Sequence, residues 1–300
     1  MAYDLEDKLV VAISSRALFD LNYENELFET EGLEKYIAYQ VQHENDVIPE
    51  GTAYSLIKGL LNFNEDFEEP IVEVIVMSRN SPETGLRIFN TIDQKGLNIK
   101  RAAFSGGESI AKYLAAFKVD LFLSMNQDDV QEAINAGFAA AMVYDTPMKY
   151  MPSESELRLA FDGDAVIFSE ESELIYKNQG LEAFAEYERQ NALKPLPDGP
   201  FAKLFRALFA IKKRDPSKLR IALVTARNSP AHKRVIMTFR EWGVNVDEAF
   251  FLGGVPKNEL LKAFNPHIFF DDQETHLNDS SKEIPAAKVL YKSESEINKI

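Results

Sequence analysis

Residues 219–230 read LRIALVTARNSP, and residues 72–82 read VEVIVMSRNSP. Each is an apolar run rich in β-branched residues that stops at a polar turn ending in proline. A run without polar alternation is expected where helices cover both faces of a parallel sheet. The RNSP tetrapeptide recurs 148 positions apart, at Arg79 and at Arg227. At that offset Ala12 meets Ala160, Gly32-Leu33-Glu34 meets Gly180-Leu181-Glu182, and Pro49 and Gly51 meet Pro197 and Gly199. After a one-residue slip, Gly96 meets Gly243 and Gly106-Gly107 meets Gly253-Gly254. Likeness between apolar helices does not produce collinear glycines and prolines, so the chain reads as an internal duplication.

Both halves then carry the same succession of short apolar runs. The first has LVVAIS, VEVIVMS, KRAAFSGG, VDLFLS and AAAMVY; the second has LRLAFDG, LRIALVTA, DEAFFLGG, PHIFFDD and KVLY. Amphipathic helical segments such as HKRVIMTFREWG separate them. Alternating strands and helices predict an α/β fold built as two tandem doubly wound, Rossmann-like units, residues 1–150 and 151–300. The boundary is expected near 148–155, in the polar, proline-bearing DTPMKYMPSESE. Residues 170–216 are more than a tight connection needs and are read as a small helical cap insertion. Within it Phe184, Tyr187, Phe201 and Phe205 could stack on a purine, but aromatics at helical spacing are more often core.

Composition narrows the function. The chain has 300 residues, 45% hydrophobic, with 48 acidic and 33 basic residues and a formal charge of -15. That balance repels a phosphate backbone and argues against a nucleic-acid partner. There is no cysteine, which excludes disulfides and thiolate metal sites. The opening MAYDLEDKLVVA has the wrong order for a secretory signal, and no apolar stretch nears the ~20 residues that span a bilayer. The expectation is a cytoplasmic protein with no membrane partner; a homo-oligomer is allowed but not indicated.

The promising chemistry of the second half falls at strand ends, where doubly wound sheets bind ligands. Asp162 and Asp164 follow LRLAF, Thr225 ends LRIALV, Lys257 follows Gly253-Gly254, and Asp271 and Asp272 end HIFF. Carboxylates gathered in this way repel unless a cation holds them, and hard oxygens suit Mg²⁺. Asp162 is the expected nucleophile of a phosphoryl transfer, and Asp164 the acid and base, with a pKa raised by its neighbours. The metal ligands would be Asp162, the Asp164 carbonyl, Asp271 and Asp272. Thr225, Ala226 and Arg227 would hold phosphate oxygens, and Lys257 would offset charge. For Arg227 an ion pair with an acidic neighbour is an equal alternative. The four histidines show no ligand spacing.

This order of motifs resembles the haloacid dehalogenase superfamily. More closely, LRLAFDGDAVIFSEESE, LVTARNSP, FFLGGVPK, PHIFFDDQ, AISSRALFD and GLEKYIAYQVQHE resemble the cytosolic 5′-nucleotidase I family. The resemblance implies hydrolysis of nucleoside 5′-monophosphates, AMP-like, to nucleoside and phosphate through an aspartyl-phosphate. The threonine usual after the second aspartate is Ala165 here. Other readings are a phosphatase of sugar phosphates or other small phosphoesters, and a nucleotide-binding regulator without turnover.

At the repeat offset, Asp162, Gly163 and Asp164 meet Ser14, Ser15 and Arg16. Thr225 meets Met77, Lys257 meets Ile110, and Asp271-Asp272 meets Ser124-Met125. The first half therefore lacks this chemistry and is read as a degenerate twin. Whether it presents Arg16 or Arg79 to substrate or effector stands beside the plainer reading that both only cap strands or form ion pairs.

Overall fold

The structure is a computed structural model of the chain, describing residues 3–145, 150–153 and 155–300. The expected boundary at 148–155 lies partly outside the described residues. The first half runs β1 (Leu9–Ile13), α1 (Ser15–Leu18), α2 (Asn22–Glu31), α3 (Leu33–Gln42), α4 (Tyr54–Leu61), β2 (Val72–Ser78) and α5 (Pro82–Gln94). It continues through β3 (Arg101–Phe104), α6 (Ala111–Leu114), β4 (Leu121–Ser124), α7 (Gln127–Asn135) and β5 (Ala140–Val143). The second runs β6 (Leu157–Phe161), α8 (Glu171–Gln190), α9 (Ala202–Lys212), β7 (Leu219–Thr225), α10 (His232–Trp242) and β8 (Glu248–Phe251). It ends with α11 (Asn258–Phe264), β9 (Ile268–Asp271), α12 (Glu274–Ser280) and β10 (Ala286–Lys288).

The predicted α/β class is what is observed, but the two units are not separate. Among the described residues, the ten strands form one sheet, in the order β3-β2-β1-β4-β5-β10-β9-β6-β7-β8. Read from its outer edge, each half has the same order, and every pairing within a half is parallel. The halves meet where β10 pairs antiparallel with β5, Ala287 opposite Val143. The reason is edge chemistry: β5 and β10 would each present unpaired N–H and C=O groups, and pairing them satisfies both. The core follows suit. Leu9, Val11, Leu56, Leu60 and Leu121 of the first half close with Leu159, Phe161, Leu204, Leu208 and Phe270 of the second on a void of only about 10 Å³.

Local signals explain the helices that frame the strand ends. Ser81 caps α5 by accepting from Thr84 N at 3.3 Å, with Pro82 at the first helical position. Asn126 caps α7 by accepting from Asp129 N at 3.0 Å. Gly243 ends α10 with a left-handed φ of 66°.

Of the segment read as a cap, α9 belongs to the core: Phe201 and Phe205 are fully buried. Phe184 is buried as well, while Tyr187 donates to Glu171. α8 is broken at Gly180 (φ 82°, ψ -179°), and the first half breaks between α2 and α3 at Gly32 (φ 85°, ψ 178°). An equivalent pair of helices is thus present in both halves.

The sheet register amends one correspondence. Ile13 pairs with Val76, and Phe161 with Leu223. Two residues further on, the counterpart of Thr225 is Ser78, not Met77. The extra residue of the second half, Ala226, comes after the strand, so aligning the RNSP tetrapeptides alone misplaces the strand by one.

Candidate active site

The carboxyl ends of β6, β7 and β9 lie side by side, and the backbone sets their spacing. Asp162 N donates to Phe270 O at 2.8 Å, which fixes the first aspartate beside the Asp271–Asp272 pair. One carboxylate oxygen each from Asp162, Asp271 and Asp272 lies within 4.8 Å of the others. All three residues are buried. Lys257, at the start of α11, places Nζ 3.0 Å from Asp162 Oδ1 and 2.6 Å from Asp271 Oδ2. The contact to Asp162 is electrostatic only; Oδ1 has no aligned hydrogen bond, and neither has Asp272 Oδ1.

Three buried carboxylates against one ammonium leave an excess of negative charge that burial makes costly. The protonation equilibria register it. Burial pushes the Asp162 carboxyl up to about 7, opposed by Lys257 and reinforced by Asp271 and Asp164. Burial and then Asp271 raise Asp272 well above the usual carboxylate range. Asp271 is also buried, yet the Lys257 ammonium and His276 hold it below that range. Burial alone would lower Lys257, but Asp162 and Asp271 keep it above an ordinary lysine.

These residues fit a hard divalent cation. Asp162 Oδ1 and Asp272 Oδ1 are buried with no aligned hydrogen bond, and all three candidate ligands are carboxylates. Asp162 and Asp272 are the better ligands. Asp271 already accepts from Lys257 and from Gln273 N at 2.8 Å, and His276 Nδ1 lies 3.1 Å from it.

Asp164 is elsewhere. Both its oxygens accept from Arg227, Oδ2 from Nε and Oδ1 from Nη2, each at 2.7 Å. Arg227 also donates to the fully buried Glu188 at 2.6 Å, and Arg234 donates to Glu188 at 3.0 Å. Of the two readings of Arg227, the structure has the ion pair. Thr225 Oγ1 accepts from Arg227 N at 3.2 Å, and Ala226 is exposed between them. A Cβ on Gly163 would come to 3.3 Å of that Thr225 hydroxyl, so Gly163 gives room as well as a turn.

The loop that carries the pair is held under strain. Asp164 is extended (φ -68°, ψ 140°) and Ala165 is left-handed (φ 58°, ψ 0°), a conformation unfavourable for any residue with a Cβ. The equivalent Arg16 and Ala17 sit in the short helix α1. At this strand end, strain is present in the half that bears the carboxylates and absent from its counterpart. The segment 197–201 clamps the loop through Ser169 N to Pro197 O, Gly199 N to Ile167 O and Phe201 N to Val166 O.

Three participants escaped sequence reading. Tyr291 donates to Asp272 Oδ2, His276 lies against Asp271, and Glu188 anchors Arg227. No motif marks them. Only the buried acid among polar helix residues, Glu188, had a signal, its spacing from Phe184.

Comparison with known proteins gives consistent results. The chain matches the 5′-nucleotidase family over residues 1–296. It is 35% identical over 291 residues to cytosolic 5′-nucleotidase 1B of Homo sapiens, covering 92% of this chain and 48% of that protein. The chain thus spans about half the length of that relative. Among solved structures, the Pnkp1/Rnl/Hen1 complex is matched at a TM-score of 0.32 and 10% identity, over 97% of this chain and 99% of that one. Histidinol dehydrogenase from Elizabethkingia anophelis is matched at 0.23 and 11%, over 93% and 52%. Neither score bears on fold or function.

Proposed function

This chain belongs to the 5′-nucleotidase family, and on that premise we propose that it hydrolyses nucleoside 5′-monophosphates at the ends of β6, β7 and β9. The observation that carries the reading is the buried Asp162–Asp271–Asp272 cluster with Lys257 between its members. Asp162 attacks phosphorus, forming an aspartyl-phosphate as the bond to the nucleoside oxygen breaks. Asp164 gives that oxygen its proton and then takes one from the water that splits the intermediate, releasing phosphate. Because both Asp164 oxygens accept from Arg227 here, each proton transfer requires one of those bonds to open once substrate is bound. Thr225 and the Ala226 backbone N–H would meet the phosphate oxygens, joined by the Arg227 N–H once its bond to Thr225 Oγ1 opens, and Lys257 balances charge on Asp162. Mg²⁺, held by Asp162, Asp272 and the Asp164 carbonyl, with Asp271 behind them, would supply Lewis-acid stabilisation of the phosphoryl oxygens. A cytosolic setting, as in the name of the human relative, suits such a substrate; no helix among the described residues is long and apolar enough to cross a membrane.

The test is phosphate release from nucleoside monophosphates and sugar phosphates with Mg²⁺ or EDTA. Asp162→Asn should lower turnover at least ~10³-fold, because the nucleophile is lost, with the circular dichroism spectrum unchanged. Faster release from sugar phosphates than from any nucleotide would overturn the substrate assignment.

A further inference from the structure

The first half has a cavity of about 480 Å³ at the carboxyl ends of β1, β2 and β4, the place that the acidic cluster occupies in the second half. We propose that this cavity binds an organic phosphate monoester that the chain does not hydrolyse, held through Arg16. The assignment rests on reading Thr225 as a phosphate ligand in the catalytic half, since its register counterpart here is Ser78.

The volume lies within the ~300–1,000 Å³ typical of small-molecule sites. Its origin is a rearranged set of ion pairs. Where Asp164 stands in the second half the first has Arg16, and where Glu188 stands it has Gln40. Arg79, the counterpart of Arg227, has no carboxylate inside to hold and turns to Asp129, with Nε at 2.7 Å. Glu24 is taken by Arg87 at 2.6 Å, with Gln40 beside it. Both carboxylates that line the cavity therefore have an arginine already.

Arg16 does not have the converse. Its guanidinium meets only amide oxygens, Asn25 Oδ1 at 2.8 Å and Asn22 Oδ1 at 3.4 Å. Its Nε is buried without a partner. Asp20 and Asp145 line an adjacent cavity that Arg16 also borders, but among the described residues no carboxylate pairs with it. A guanidinium with an orphaned donor attracts an anion, and phosphate matches its fork. Hydroxyls complete the floor. Ser14 Oγ accepts from Ala17 N and keeps its hydrogen to donate, while Ser15 and Ser78 share a hydrogen bond of 3.0 Å and both reach Asn80 Oδ1, bonds that a phosphate would have to exchange. Leu21 before α2, Phe28 on α2, and Leu33 and Ile37 on α3 supply an apolar wall for the organic part.

Hydrolysis is absent for the same reasons. Ser14, Arg16, Ser124 and Met125 replace the four aspartates, leaving no carboxylate at these strand ends to attack phosphorus or hold a divalent cation, and Glu24 and Asp129 are each paired with an arginine.

The experiment is calorimetric titration of the full chain with AMP in EDTA, with inorganic phosphate and adenosine as separate arms. One site is expected, weakened ~10-fold or more by Arg16→Ala through loss of a charged hydrogen bond and unaffected by Thr225→Ala. Inorganic phosphate should compete, and adenosine should bind more weakly than AMP. Absence of binding in EDTA, or binding that survives Arg16→Ala and is lost with Thr225→Ala, overturns the proposal. Should Arg16→Ala unfold, hydrogen exchange of the unaltered chain decides. Protection by AMP in EDTA should fall on 14–16 and on α2 and α3; protection on 162–169 and 225–228 alone refutes it. Phosphate release with Mg²⁺, measured on the same sample, separates the two readings. Hydrolysis without metal-independent binding sinks this inference alone, and the converse sinks the activity alone.

Discussion

At the scale of single residues, the arginine behind the strand end is the informative one. Arg227 is buried between Asp164 and Glu188, so its loss strands two carboxylates, one of which keeps Arg234. Arg227→Ala should therefore destabilise the fold by about 3–5 kcal/mol, read as a lower urea midpoint at unchanged slope. A residue that only binds phosphate would instead raise KM and leave the midpoint alone. Tyr291 makes a second residue-scale prediction. It orients Asp272 from behind, so Tyr291→Phe should weaken Mg²⁺ activation about 10–100-fold while maximal turnover at saturating Mg²⁺ stays within a few-fold. An unchanged Mg²⁺ requirement would remove Tyr291 from the site.

At the scale of elements, function depends on a loop and its clamp. The strained turn at Ala165 persists because residues 197–201 hold the segment after it. Gly199 is central to that contact: a Cβ there would lie 2.2 Å from Phe168 O. Gly51 in the first half is similarly close, 2.8 Å from the Phe19 backbone. Gly199→Ala should thus cost on the order of 1–3 kcal/mol through forced backbone shifts and lower kcat by displacing Asp164. Thermal unfolding and steady-state kinetics check both; a stable variant with full kcat would show that the clamp does not set the loop.

At the scale of the whole molecule, charge and stability are linked through the acidic cluster. Asp162, pushed up to about 7 by burial, binds a proton more tightly folded than unfolded. Its protonation therefore favours the cation-free fold, and that contribution is lost as pH rises from about 4, the unfolded value, through about 7. A divalent cation competes with the proton for the same oxygens. The rise in melting temperature given by Mg²⁺ over EDTA should grow with pH across this window. Because the comparison is made at each pH, titrating groups away from the cation, such as His267, which burial lowers to about 4, cancel, while Asp272, also raised by burial, adds to the trend. A shift independent of pH from 5 to 8 would mean that Mg²⁺ does not bind at Asp162.

The sequence by itself determined what is written in runs and fixed spacings. Short β-branched apolar stretches such as IALV, closed by turn residues, suit a strand covered on both faces, and the polar residues after such runs put Asp162, Thr225, Lys257 and Asp272 at one edge. The repeat exposed Ser14 and Arg16 as substitutes because a glycine or proline pattern survives side-chain change. The tertiary structure decided everything that depends on contacts distant in the chain. The halves became one sheet because two open strand edges pair better with each other than with water. The register exchanged Met77 for Ser78 because strand pairing, not the turn after it, fixes which residue reaches the site. Arg227 and Arg79 carry the same letter, yet one holds Asp164 and the other Asp129, because the charge each can reach was set by residues far away in sequence.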